Sequence, residues 1–282
     1  MPTDAAPCSP NETVTAHYAR HGDLVERILA TLPAAGGDPA KPEYAALHQL
    51  DQFHLGGPVA TRELAEKAEA RGLPLLDLGC GIGGPSRMLA AEYGCDVTGL
   101  DLTEGYCATA RRLSSLVGLG ERTRFVCASA LDLPFAQGAW NVIWTQHAAM
   151  NIPDKARLYQ EVARVLAPGG RFIMHDIVAG PGREPHFPVP WASTPAASFL
   201  LPANEIHARL AGAGLMEDWW HDNTADALTR IRESRAAAAS GEPEPPGPHL
   251  VMGPEFLEMR RNLARNLEEG RVGVVEAIWR KP

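Results

Sequence analysis

A short apolar strand that runs directly into a cluster of glycines leaves a chain few folds to choose from. Here Leu75-Leu76-Asp77-Leu78 leads into Gly79-Cys80-Gly81-Ile82-Gly83-Gly84, and a helix from Ser86 to Tyr93 follows, ended by Gly94. Gly79, Gly81 and Gly84 satisfy G-x-G-x-x-G, while Asp77, Gly79, Gly81 and Gly83 satisfy D-x-G-x-G-x-G. Backbone without Cβ atoms lets a ligand approach closely. Asp101, at the end of the next strand, can accept hydrogen bonds from ribose hydroxyls. A dinucleotide and a nucleoside-linked amino acid both meet these requirements. Asp77 weighs toward the second, because its charge repels a pyrophosphate and attracts an ammonium group.

The pattern around the loop repeats. Strands are expected at 96–101, 124–128, 140–145 and 171–178, with helices at 104–117 and 154–166 between them. In the latter helix Asp154 caps the start, and Leu158, Val162, Val165 and Leu166 share one face. Helices near 203–212 and 225–239 and strands near 215–221 and 272–279 follow. This alternation predicts a doubly wound, Rossmann-like α/β fold: a seven-stranded, mainly parallel sheet whose last strand inserts antiparallel. Residues 1–12 read as disordered, 13–71 as N-terminal helices and a helical lid, and 72–282 as the ligand-binding domain. Residues 179–201, with five prolines and several aromatics but no period, form a second lid by this reading. Ser240 to His249 has the composition of a linker, and 253–268 reads as a helix with a mixed-charge, solvated face.

A net charge of −8 without a dense Lys/Arg block gives no footprint for nucleic acid or an anionic membrane. No apolar run approaches the ~20 residues of a membrane span, and the beginning of the sequence does not read as a signal peptide. Five cysteines without CxxC pairs suggest neither a disulfide framework nor a structural metal, so a reduced, cytoplasmic protein is expected. A small-molecule partner fits this balance, with the chain a monomer or a homodimer.

Four ordered segments carry a resemblance: Leu75 to Gly83, Val97-Thr98-Gly99-Leu100-Asp101, Leu131-Asp132-Leu133-Pro134-Phe135, and Arg164-Val165-Leu166-Ala167-Pro168-Gly169-Gly170. Together they resemble the class I S-adenosylmethionine-dependent methyltransferases of the type 11 group. Gln52 to Gly57 and Gln146 to Lys155 are similar to bacterial small-molecule enzymes related to sarcosine/dimethylglycine N-methyltransferases. The resemblance implies S-adenosylmethionine as cofactor and S-adenosylhomocysteine as product. Asp77, Gly79 and Gly81 would face the methionine moiety, Asp101 the ribose, and Leu102 the adenine. Ser129, Ala130 and Leu131 would border the adenine edge, with Ser129 standing where the family commonly has an acid. Gln146 would lie beside the methionine carbon chain, and Gln52 and His54 beside its carboxylate.

Methyl transfer from a sulfonium is an in-line displacement, and a proton acceptor is needed only where the acceptor is a hydroxyl or a protonated amine. His147 after the fourth strand and Asp176 in the fifth stand where open α/β sheets build their sites. Tyr18 is a third candidate, on a helix that covers the cofactor in related amine methyltransferases. His175 alternates with Asp176 and faces the other side of the sheet. His186, Phe187, Trp191 and Phe199 are expected to shape the acceptor pocket as rigid apolar walls. No carboxylate cluster suggests a metal. The function expected is N- or O-methylation of a small molecule; a C-methyltransferase of a specialised metabolite and a nicotinamide-dependent oxidoreductase are the alternatives.

Overall fold

The structure is a computed structural model that describes residues 24–240 and 246–282. The segment read as disordered, the first part of the N-terminal helical region and Tyr18 lie outside the described residues. Helices α1 (Leu24–Thr31), α2 (Tyr44–Leu47) and α3 (Gly57–Lys67) precede the sheet. The chain then alternates: β1 (Pro74–Leu78), α4 (Gly84–Tyr93), β2 (Asp96–Asp101), α5 (Glu104–Leu116), β3 (Thr123–Cys127) and β4 (Trp140–Gln146). It continues through α6 (Lys155–Val165), β5 (Leu166–Ala179), α7 (Ala203–Gly212) and β6 (Met216–Asp222). Helices α8 (Thr224–Ala239), α9 (Pro248–Met252) and α10 (Pro254–Glu268) lead into β7 (Val272–Arg280).

The seven strands lie in the order β3-β2-β1-β4-β5-β7-β6. All pairs from β3 to β5 are parallel, and β7 runs antiparallel to both β5 and β6. Helices cover both faces, which is why β1 is apolar along nearly its whole length. Successive side chains of β1 alternate between layers: Leu75 packs with Leu64, Leu89 and Ile173, and Leu76 with Leu158, Val162 and Phe172. As the sequence implies, the Asp154 carboxylate accepts the Arg157 backbone N–H at 2.9 Å and starts α6, whose Leu158, Val162 and Val165 are buried.

Two boundaries differ from the sequence reading. Strand β5 begins at Leu166 rather than near 171, because Leu166 already pairs with Trp140. The stretch read as a linker up to His249 contains the start of α9, whose Val251 is fully buried against Leu24 and Ile28. Among the described residues, no helix is long and apolar enough to cross a membrane.

A buried ion pair ties the pre-sheet segment to the sheet's helices. Arg87 on α4 donates to Asp51 Oδ2 from Nη2 at 2.8 Å and from Nε at 3.2 Å, with both side chains wholly inaccessible. Its Nη1 reaches the Ala110 carbonyl and Ser114 Oγ on α5, each at 3.3 Å. Asp51→Ala leaves a buried guanidinium without its counter-charge and is expected to destabilise the protein by about 3–5 kcal/mol in urea unfolding. Asp51→Ala combined with Arg87→Met should recover most of that loss.

Candidate active site

The sheet order reverses between β1 and β4, and the loops leaving their carboxyl ends part there to form a cleft. Gly79, Gly81 and Gly83 all take positive φ, which is why the turn from β1 into α4 is built of glycine. The Gly79 and Cys80 backbone N–H groups donate to the Leu100 carbonyl at 2.7 and 3.0 Å, which fastens the loop to the end of β2. A side chain at Gly79 would collide with Ala148 Cβ at 2.2 Å, whereas one at Gly81 would enter open space. That space is the cleft.

Asp101 stands at its edge. One carboxylate oxygen accepts the Gly81 N–H and the other the Thr103 N–H, each at 2.9 Å. Burial pushes its pKa above the ordinary carboxylate range against the pull of those donors, so further donors such as a ribose diol would be accepted readily. Leu102, Ser129, Ala130 and Leu131 line the same end. Ser129 Oγ accepts the Leu131 N–H at 3.2 Å, so this hydroxyl partly serves its own loop. The cleft is open to solvent at its mouth and encloses about 180 Å³ of free space.

Across the cleft, Gln146 accepts from Trp144 Nε1 at 3.0 Å and from Thr61 Oγ1 at 3.1 Å with one side-chain oxygen. Its amide nitrogen is thereby turned toward His175 Nδ1, 3.4 Å away. His54 Nε2 lies 3.0 Å from the Gly57 carbonyl, which can only accept, so this nitrogen carries the hydrogen. The rings of His54, His147 and His175 are mutual neighbours, with centroids 4.7 to 6.1 Å apart. Burial lowers His54 to about 4 and His175 to about 3. It takes His147 well below its ordinary 6.5, helped by repulsion from His175 and His54. All three imidazoles are therefore neutral at neutral pH.

His147 differs from the other two. Its φ is +51°, a left-handed conformation that costs a non-glycine residue energy, and its Nε2 is buried without a hydrogen-bond partner. It lines the cleft beside Ala148 and Met150.

Several expected site residues stand elsewhere. Asp77 is buried behind the glycine loop, where its carboxylate accepts the Ser86 hydroxyl at 2.5 Å. Gln52 is buried against Asp51 and the start of α4, and does not line the cleft. Asp176 also lies away from the cleft wall: it accepts backbone N–H groups of Ile177, Met150 and Ala149 and faces the Lys155 ammonium. Burial raises the Asp176 pKa, and Lys155 opposes the shift. Of the four aromatic lid candidates only Trp191 lines the cleft. His186 pairs with Glu269 at 2.9 Å, Phe187 packs in the cluster around Val189 and Ile177, and Phe199 offers its carbonyl to Lys155. Tyr18 lies outside the described residues.

Sequence reasoning missed Met252 and Phe256, which flank the joint between α9 and α10 and face the cleft. The apolar run Leu250-Val251-Met252 was the available signal, hidden between a proline-rich stretch and a charged helix.

A doubly wound sheet with β7 antiparallel, a glycine loop at the β1/β4 switch and an acid ending β2 define the Rossmann-like methyltransferase fold. Residues 76–174 match the family model described as a methyltransferase domain. Tocopherol O-methyltransferase of Arabidopsis thaliana is 38% identical over 109 residues, which are 39% of this chain and 31% of that protein. Sarcosine/dimethylglycine N-methyltransferase of Halorhodospira halochloris is 36% identical over 102 residues, 36% of this chain and 37% of that protein. The chain thus matches about a third of the length of these relatives. Among solved structures, geranyl diphosphate C-methyltransferase from Streptomyces coelicolor A3(2) superposes with a TM-score of 0.68 over 99% of this chain and 100% of that one, at 19% identity.

The Asp77 carboxyl, raised by burial to about 7 from an ordinary 3.8, has a direct consequence for the ligand-free protein. Its contribution to stability is complete below about pH 4 and is lost as pH rises to about 7. Asp77→Asn should remove that component, worth ~4 kcal/mol or less. Urea midpoints at pH 5 and pH 8 should then lie closer together in the variant than in the parent.

Proposed function

We propose that the protein is an S-adenosylmethionine-dependent methyltransferase that acts on a hydroxyl group of a small-molecule acceptor. The observation that carries this reading is His147: a neutral imidazole in a strained backbone conformation, set on the cleft with an unpartnered Nε2. Support comes from the methyltransferase domain over 76–174, from relatives named as O- and N-methyltransferases, and from structural neighbours described in complex with the cofactor or its product.

When bound, S-adenosylmethionine supplies a methyl group on a positively charged sulfur, the activated leaving group. The chain's own residues hold the reactants. Asp101 would accept the ribose hydroxyls, Leu102 and the Ser129–Leu131 loop would enclose the adenine, and the bare Gly81 backbone would leave room for the amino-acid part. His147 would take the proton that the acceptor hydroxyl gives up when the methyl group passes to its oxygen and the carbon–sulfur bond breaks. The acceptor hydroxyl is the partner that Nε2 lacks. Gln146, held by Trp144 and Thr61, fixes His175 behind His147 so that the two rings keep their relative orientation. Asp176 and Lys155 are positioning residues: together they hold the 149–152 turn that carries Met150 into the cleft.

Calorimetric titration with S-adenosylhomocysteine and with NADH tests the cofactor; binding of NADH alone would overturn the reading. A native cell extract supplied with isotope-labelled S-adenosylmethionine and the protein should yield a labelled product by mass spectrometry. Asp101→Ala is expected to weaken S-adenosylhomocysteine binding by ~1–3 kcal/mol. His147→Ala should lower kcat at least ~100-fold while leaving that affinity within a few-fold. Because burial holds His147 below its ordinary 6.5, kcat/KM should stay flat as pH drops from 8 to 6.5 and fall only under more acidic conditions.

A further inference from the structure

We infer that the acceptor is a neutral, predominantly apolar molecule held by its carbon skeleton, with one hydroxyl directed at His147; this rests on the methyltransferase reading above. The argument is one of charge. Among the described residues, the acids lining the cleft are Asp51 and Asp101, and no lysine or arginine lines it. Asp51 is neutralised by Arg87. Asp101 belongs to the nucleoside end, and the imidazoles of His54 and His147 are held uncharged. Beyond the part that the cofactor's own amino-acid group would fill, no side chain among the described residues of the cleft offers a counter-ion to an acceptor carboxylate or diphosphate. Moving such an anion out of water without one is strongly unfavourable.

The polar groups near the acceptor end are already committed. Asn151 donates its amide to the Trp191 and Ala197 carbonyls at 2.8 and 2.9 Å, bracing the lid segment from the inside. Trp191 Nε1 donates to Ser198 Oγ at 2.9 Å, so this side chain presents apolar surface rather than a donor. Lys155, just beyond the Met150–Pro153 wall, turns its ammonium onto the carbonyls of Ala149, Ile152 and Phe199. What remains for a ligand is carbon and sulfur: Met150, Ile152, Pro190, Trp191, Met252 and Phe256. Methionines at such a surface adapt to irregular shapes, which suits a bulky skeleton.

The test measures binding of 4-octylphenol and of 4-octylphenyl sulfate to protein saturated with S-adenosylhomocysteine, followed by tryptophan fluorescence, with sarcosine and geranyl diphosphate as charged competitors. The phenol should bind roughly tenfold or more tightly than its sulfate ester, and neither competitor should displace it. Met252→Arg, which places a cation in the apolar wall, should reverse the order of phenol and sulfate; retained S-adenosylhomocysteine binding shows that the variant is folded. Tighter binding of the sulfate, displacement by either charged competitor, or no binding of the phenol up to its solubility limit would overturn the inference. Failure to bind S-adenosylhomocysteine in the first place would instead sink the methyltransferase reading.

Discussion

The structure is organised by the reversal of strand order beside β1. With β2 on one side and β4 on the other, the chain leaving β1 and the chain leaving β4 must diverge, and the sheet cannot close the gap between them. Everything functional is arranged around that opening. The glycine loop needs positive φ to turn from strand into helix at close range, and its N–H groups fasten to the Leu100 carbonyl and the Asp101 carboxylate. Residues 51–57 close the same gap from outside the sheet, held by Arg87 below and by the Thr61 to Gln146 hydrogen bond beside it.

Charge is managed differently at the two ends of the cleft. Beside the glycine loop an acid, Asp101, is kept half-buried at the cleft edge and supplied with two backbone donors. At the other end each charge is neutralised or turned away, Asp176 toward Lys155 and backbone N–H groups, and Lys155 toward three carbonyls. The result is a low-dielectric floor in which a neutral imidazole can be held in a strained conformation. Such strain persists because the neighbouring contacts over-determine it: the His147 N–H donates to the His175 carbonyl at 2.8 Å, and Ala148 fills the space that Gly79 leaves.

The fold was legible in the sequence because its signals are local. Period, glycine punctuation and the Asp154 cap placed nearly every strand and helix within a few residues, and that Asp101, Leu102 and Ser129 to Leu131 share one end of the cleft followed because they sit at fixed offsets from strand ends. The acceptor end was less legible for a physical reason: it is assembled from segments distant in sequence. Trp191 reaches the cleft and Phe199 does not, although both stand in the same proline-rich stretch, because Phe199 is spent through its backbone on Met150 and Lys155. Asp77 and Asp176 carry chemistry-bearing side chains in suggestive places, yet alternation along a strand says which face a side chain takes and not what lies there. Met252 and Phe256 escaped because apolar residues flanked by a linker composition and a mixed-charge helix show no period of their own.

The antiparallel β7 has a consequence for how the sheet edge is secured. Among the described residues, strand β6 has no hydrogen-bonded neighbour in the sheet except β7, yet α8, α9 and α10 stand between the two in sequence. Without β7, β6 would have no partner among the described strands and β5 would present a bare edge, the arrangement that invites wrong pairing. Residues Asp218 and Glu217 give that strand a charge pattern unsuited to self-association, and Arg280 of β7 pairs with Asp218 at 3.2 Å. The segment that supplies Met252 and Phe256 lies between β6 and the strand that secures it, so the apolar wall of the cleft is carried by the same connection that joins the two antiparallel strands.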